Sequence, residues 1–174
     1  MKIARRLFVV VLGNDQHGKS TIVNALLSQG LGKTSPKQKG RRTLVSPFGR
    51  QIDSYVFVRA YQEYEKKTHK KVDRTLDAND AGWKTRELII FPSHVRSADI
   101  AAFIDAAHGA GFDAICAAVI LNDSDRRKYA GIWCMDWDER WTVPNPTSRD
   151  DCWQPRTEAL GRDLWVWICQ SIGC

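Results

Sequence analysis

The chain has 174 residues, a formal net charge of +6 and a pI near 9.2. That length suits one full domain and is too short for two ordinary ones, so residues 1–174 read as a single domain. A hydrophobic fraction of 43% beside 26% charged residues excludes a disordered or fibrous chain, no apolar run is long enough to cross a membrane, and the positive balance points to an anionic partner.

The basic start Met1-Lys2-Ile3-Ala4-Arg5-Arg6 followed by Leu7-Phe8-Val9-Val10-Val11-Leu12 imitates a signal peptide. The apolar run, however, enters a glycine-bounded loop with no small-residue cleavage site, and is read as the first strand. The loop, Gly13-Asn14-Asp15-Gln16-His17-Gly18-Lys19-Ser20, fits Gly-x-x-x-x-Gly-Lys-Ser. Average residue frequencies put one chance match in a chain this long at roughly 1 per cent. Behind it, Ile22, Val23, Leu26 and Leu27 recur at helical spacing.

A strand–loop–helix of this kind turns several unpaired backbone N–H groups inward and makes a cavity that a di- or triphosphate fills. Gly13 and Gly18 take backbone angles that side chains resist. Lys19 supplies a point charge for the β- and γ-phosphates, and the Ser20 hydroxyl is a ligand for Mg²⁺. Asn14, Asp15, Gln16, His17 and Thr21 complete the binding set, with His17 read as a solvent-facing filler.

Gly30 and Gly32 are expected to end the first helix. Residues 32–42 carry five basic and no acidic side chains and are read as a mobile surface loop, either merely solvated or a lid that gathers on phosphate. Residues 51–60 read as a strand, with Asp53 near its start, followed by a charged stretch over 61–71 and a weak helix around 72–83. Leu88-Ile89-Ile90-Phe91 is a buried strand closed by Pro92-Ser93-His94. Ser97 is the expected N-cap of an amphipathic helix with Ile100, Phe103, Ile104 and Ala107 on one face, stopped by Gly109 and Gly111. Residues 114–121 are continuously apolar, as in a parallel strand covered on both faces, which makes a βαβ unit.

After Leu121 the composition shifts to the polar Asn122-Asp123-Ser124-Asp125-Arg126-Arg127-Lys128, and six of the seven tryptophans then follow. Residues 143–148 read as a turn-rich connector and 155–168 as a terminal helix. The Trp-rich segment, about 129–174, is expected to pack on the domain, to form an interface with a protein partner or a second copy, or to stack the bases of a nucleic acid. Cys116, Cys134, Cys152, Cys169 and Cys174 form no Cys-x-x-Cys pair, and their odd number argues for reduced thiols and a cytoplasmic setting.

The loop resembles the Walker A motif of P-loop NTPases. That resemblance implies a three-layer α/β fold with a mostly parallel sheet, and hydrolysis or phosphoryl transfer from a nucleoside triphosphate with Mg²⁺. The order of elements over residues 7–128 is similar to that of small P-loop kinases of the nucleotide, polynucleotide and zeta-toxin-like kinds. The GTPase motifs Asp-x-x-Gly and Asn-Lys-x-Asp are missing, Asp77-Ala78-Asn79-Asp80-Ala81-Gly82 and Asn122-Asp123-Ser124-Asp125 being the nearest stretches, so ATP is preferred over GTP. No acidic residue follows Leu88-Ile89-Ile90-Phe91 where a Walker B acid belongs, and Asp123 is expected to organise the metal instead. On the kinase reading Asp53 is the base, His94 a base or γ-phosphate sensor, and Arg126, with Arg127 and Lys128, a lid cluster. The preferred activity is transfer of the γ-phosphate of ATP to the hydroxyl of a nucleoside, nucleotide or polynucleotide. The alternatives are a nucleotide-sensing, non-catalytic subunit and an atypical GTPase.

Overall fold

Every residue of β1 (Leu7–Leu12) is apolar and buried, which suits a strand at the middle of a sheet covered on both faces. A computed structural model describes residues 5–34, 38–64, 71–145 and 152–173 and places it there. After β1 come α1 (Lys19–Leu31), β2 (Gly40–Val45), β3 (Gln51–Val56), α2 (Val72–Asn79), β4 (Leu88–Ser93), α3 (Ser97–Gly109), β5 (Asp113–Ile120), α4 (Asp123–Trp133), β6 (Glu139–Pro144) and α5 (Trp153–Ile172). The six strands form one sheet in the order β2-β3-β4-β1-β5-β6. All neighbours pair in parallel except the β2/β3 hairpin.

Alternate residues of β1 serve two cores, as the period of a strand requires. Phe8, Val10 and Leu12 pack with Leu76 of α2, Phe103 of α3 and Ile132 of α4, and Leu7, Val9 and Val11 with Leu26 of α1 and Ile168 of α5. The molecule is therefore a three-layer α/β/α sandwich. In the first layer aromatic rings do much of the filling, Phe57 and Phe91 stacking with centroids 3.7 Å apart. In the second, α5 approaches α1 closely because Gly161 has no side chain: a Cβ there would lie 2.3 Å from the Ile22 carbonyl oxygen.

β4 and β5 flank β1, and α3 joins them by crossing over it. In an open parallel sheet, ligands bind where such connections diverge, outside the carboxyl ends of the strands. Here that edge gathers the segments that follow β1, β3, β4, β5 and β6.

Several elements differ from the sequence expectation. The basic stretch read as a loop ends in the first half of β2, an edge strand that buries only Leu44 and turns Arg41, Thr43 and Val45 to solvent. The strand β4 runs on through Pro92 to Ser93, because the β3 register ends at Val56–Ile90, with a last bond from the Phe57 N–H to the Ile90 carbonyl, just before the proline's missing N–H. Arg96, not Ser97, is the N-cap of α3. Asn122 caps α4, accepting from the Asp125 N–H, so the polar run is a helix start. β6 takes in Val143 and Pro144, the first two residues of the expected connector, and α5 starts earlier and ends later than expected. Residues 35–37, 65–70 and 146–151, on which other loop expectations fall, lie outside the described residues.

Candidate functional site

The loop between β1 and α1 is fixed at its entrance by the Gly13 N–H, which donates to the Ser93 carbonyl at 3.1 Å. Gln16 (φ 64°) and Gly18 (φ 87°) are both left-handed, which curls the backbone into a concavity of the kind that receives anions. Gly18 is required for a second reason. A Cβ would stand 2.9 Å from Asn145 Nδ2 and 3.0 Å from Thr157 Cγ2. The Lys19 ammonium sits within the loop, donating to the carbonyls of Gly13 (2.6 Å) and Asn14 (2.7 Å). Lys19 is only 7% exposed, and burial lowers its pKa to about 8 despite the opposing pull of Asp15 and Glu63.

Outside the loop lies a cavity of about 260 Å³, bounded by Ser20 and Thr21 on one side and by Glu63, His94 and Trp153 on the others. His94 follows β4, as a strand-end residue should, and its Nε2 lies 3.4 Å from Asp15 Oδ1. Burial and the nearby Lys19 hold its imidazole below the ordinary pKa, so it is neutral at pH 7. Gln62 positions it: the amide oxygen accepts from the His94 N–H at 3.0 Å, while its nitrogen donates to Ser93 Oγ and to Asp99 Oδ2. Glu63, paired with Arg59 at 3.3 Å, brings a carboxylate from the segment after β3.

The loop's other wall comes from the chain's end. Asn145 is fully buried; its Nδ2 donates to the His17 carbonyl at 3.0 Å, and its Oδ1 accepts from Thr157 Oγ1 at 3.1 Å. His17, expected to face solvent, is instead buried, with Nδ1 3.4 Å from the Tyr129 hydroxyl. Burial lowers its pKa. The buried imidazole has its polar partner in Tyr129 of α4, while Asn145 satisfies the backbone carbonyl of the same residue.

The structure thus brings together residues 13–21 and His94, but not Asp53 or Arg126. Asp53 stands at the start of β3, and since β3 and β4 are parallel to β1 this is the sheet edge opposite the loop. There it accepts from Arg41 and from the buried Arg86, which also holds Asp80, and the expected base is a structural ion pair. Asp80, of the nearest stretch to a GTPase motif, shares that remote network. Arg126 is exposed on α4 and lines a different cavity, with Trp133, Cys134 and Thr142. Asp123 opens α4, and its side chain lies outside what the structure describes. The sequence reading missed Glu63, Gln62, Asn145 and Thr157. The one signal available for Asn145 was its place between two prolines.

Of the tryptophans, Trp137 and Trp165 are buried in the two core layers, and Trp141 and Trp167 meet edge to face. Cys116, Cys134, Cys152 and Cys169 are not joined in disulfides. Among the described residues no group of three His, Cys, Asp or Glu is placed to hold a metal, and no helix is long and apolar enough to cross a membrane. Compared with known proteins, the chain finds no match: no family model, no curated protein and no solved structure.

Proposed function

We propose that this chain is a P-loop protein that binds a nucleoside triphosphate with Mg²⁺ in the loop of residues 13–20 and transfers the γ-phosphate of ATP to a hydroxyl acceptor. The observation that carries this reading is the buried Lys19 ammonium inside a loop with two left-handed residues. Burying a cation is unfavourable unless something recompenses it, and a triphosphate does so by lying against it. Ser20, exposed on the cavity, fits a Mg²⁺ ligand, and Asp15 is a carboxylate on the same cavity that fits a second.

In the transfer, the acceptor oxygen bonds to the γ-phosphorus as the bond to the bridging oxygen breaks, and ADP leaves. The acceptor's proton goes to Glu63 or to His94, the proton-accepting groups on the cavity wall, and Lys19 offsets charge on the transferring group. The bound metal would supply further charge neutralisation. Incubation with γ-labelled ATP and a panel of nucleosides, nucleotides and 5′-hydroxyl oligonucleotides tests the reading. Label on one acceptor, lost in Glu63→Gln or His94→Ala, supports it; tight ATP binding with no labelled acceptor refutes the transfer step.

One observation favours a second reading, a nucleotide sensor. The position a Gly18 side chain would occupy is walled by Trp153, Thr157 and Asn145, so loop and α5 are in direct contact. On that reading, nucleotide changes Trp153 fluorescence without turnover.

A further inference from the structure

A second, larger concavity of about 640 Å³ adjoins the loop cavity and is lined by residues of α1 and α5. The two concavities share Thr21, and the consecutive residues Trp153 and Gln154 line one each. The floor is Ala25, a small residue at the point where Gly161 lets the helices touch. The walls are matching polar stripes at helical spacing, Thr21, Asn24 and Ser28 on α1 and Gln154 and Glu158 on α5.

These stripes are unlike ordinary solvated helix faces. After Lys19, α1 carries no charged residue, and its groove face presents short amide and hydroxyl groups. Gln154 is bonded to Glu158 at 2.9 Å, so the α5 wall offers a carboxylate acceptor held in place. The cationic Lys33 and Arg162 stand at the end remote from the loop. A groove of this size, with a neutral hydrogen-bonding wall on α1, a carboxylate acceptor on α5 and the loop adjoining it at Thr21, suits an uncharged heterocycle and its sugar.

We infer that the α1/α5 groove is the nucleoside subsite of the nucleotide held by the loop: phosphates over residues 13–20, ribose across Thr21, and base between Asn24 and Glu158. This rests on the phosphate-loop reading, since without anchored phosphates nothing directs a nucleoside here. Fixed polar groups discriminate bases by leaving the wrong one's donors unpaired. The groove, not the loop, then decides which nucleoside triphosphate is taken.

The test is calorimetry with magnesium tripolyphosphate, ATP, GTP, CTP and UTP on the full chain, on Asn24→Leu, on Glu158→Ala and on Lys19→Ala. Thermal melting of each variant checks folding. In the wild type, at least one nucleotide binds about tenfold or more tighter than tripolyphosphate, and that margin collapses in Asn24→Leu and Glu158→Ala while tripolyphosphate binding is unchanged. Lys19→Ala loses both. Tripolyphosphate binding as tightly as every nucleotide, or a margin that survives both groove variants, overturns the groove and leaves the loop standing. No heat with any probe overturns the loop reading and the groove with it.

Discussion

Lys19 offers a test that needs no ligand. Its ammonium is buried, and its pKa in the fold is about 8 against an ordinary 10.5, so ionised Lys19 opposes folding. A displacement of that size corresponds to about 3 kcal/mol at pH 7. Replacing it by methionine removes the ionisation but leaves the Gly13 and Asn14 carbonyls without their donor, a loss of about 2 kcal/mol for two hydrogen bonds. Lys19→Met is therefore expected to be more stable than the wild type at pH 7, by about 1 kcal/mol. The sign then changes with pH. Because the folded pKa lies below the unfolded one, the unfolded chain binds the extra proton between pH 8 and 10.5, and wild-type stability rises against the variant by about 1.4 kcal/mol per pH unit there. The two curves cross near pH 9, by the same estimate. Urea denaturation of both proteins from pH 7 to 10.5 measures the difference directly and cancels groups common to both. A variant less stable at pH 7, or a difference that does not move with pH, refutes the claim that the loop holds a strained cation.

Other consequences concern the framework. Gly161→Ala forces α5 off the Ile22 carbonyl and is expected to destabilise by about 1–3 kcal/mol, more than the roughly 1 kcal/mol a helix gains from alanine; a raised urea midpoint contradicts it. Arg86→Ala leaves Asp80 without its cation and Asp53 with Arg41 alone, and should destabilise by about 3 kcal/mol, whereas Asp53→Asn leaves phosphoryl transfer intact, as an assay beside the wild type will read. Burial raises the Asp53 pKa, but hydrogen bonds from Arg41 and Arg86 outweigh it and hold the carboxyl below the ordinary value. The pair's contribution is thus present above the unfolded aspartate pKa and fades as pH falls through the folded one, which acid titration of Asp53→Asn against the wild type detects. Asn145→Ala frees the His17 carbonyl and should weaken nucleotide binding along with a loss of about 1–3 kcal/mol of stability; unchanged affinity by calorimetry would show that the loop holds its shape alone.

What the sequence disclosed follows from how local each signal is. β1, α1, β4, α3 and β5 announce themselves because their burial is continuous or periodic along the chain, as Leu7–Leu12 and the face of Ile100, Phe103, Ile104 and Ala107 illustrate. The strand β2 did not, because one buried leucine behind two arginines reads as a loop, and β6 opens on the charged pair Glu139-Arg140 and buries only Val143. Within α4 the inward residues Tyr129 and Ile132 come late, after a polar capped start. The loop was legible for the same reason: it is eight consecutive residues. Glu63, Gln62, Asn145 and Thr157 reach it only through the sheet order, which brings the ends of β3, β4 and β6 to one edge. Asp53 was misplaced by position within its strand, not by strand identity, since the start of a parallel strand lies opposite the edge that binds.

The central claim is that the loop of residues 13–20 grips a nucleotide's phosphates through Lys19. Calorimetric titration of the full chain with Mg²⁺ and ATP or GTP at pH 7, beside Lys19→Ala, tests it most directly. The account predicts one site per chain that saturates with at least one of the two, and its loss in the variant. Absence of heat with both nucleotides, or equal binding to the variant, would contradict it.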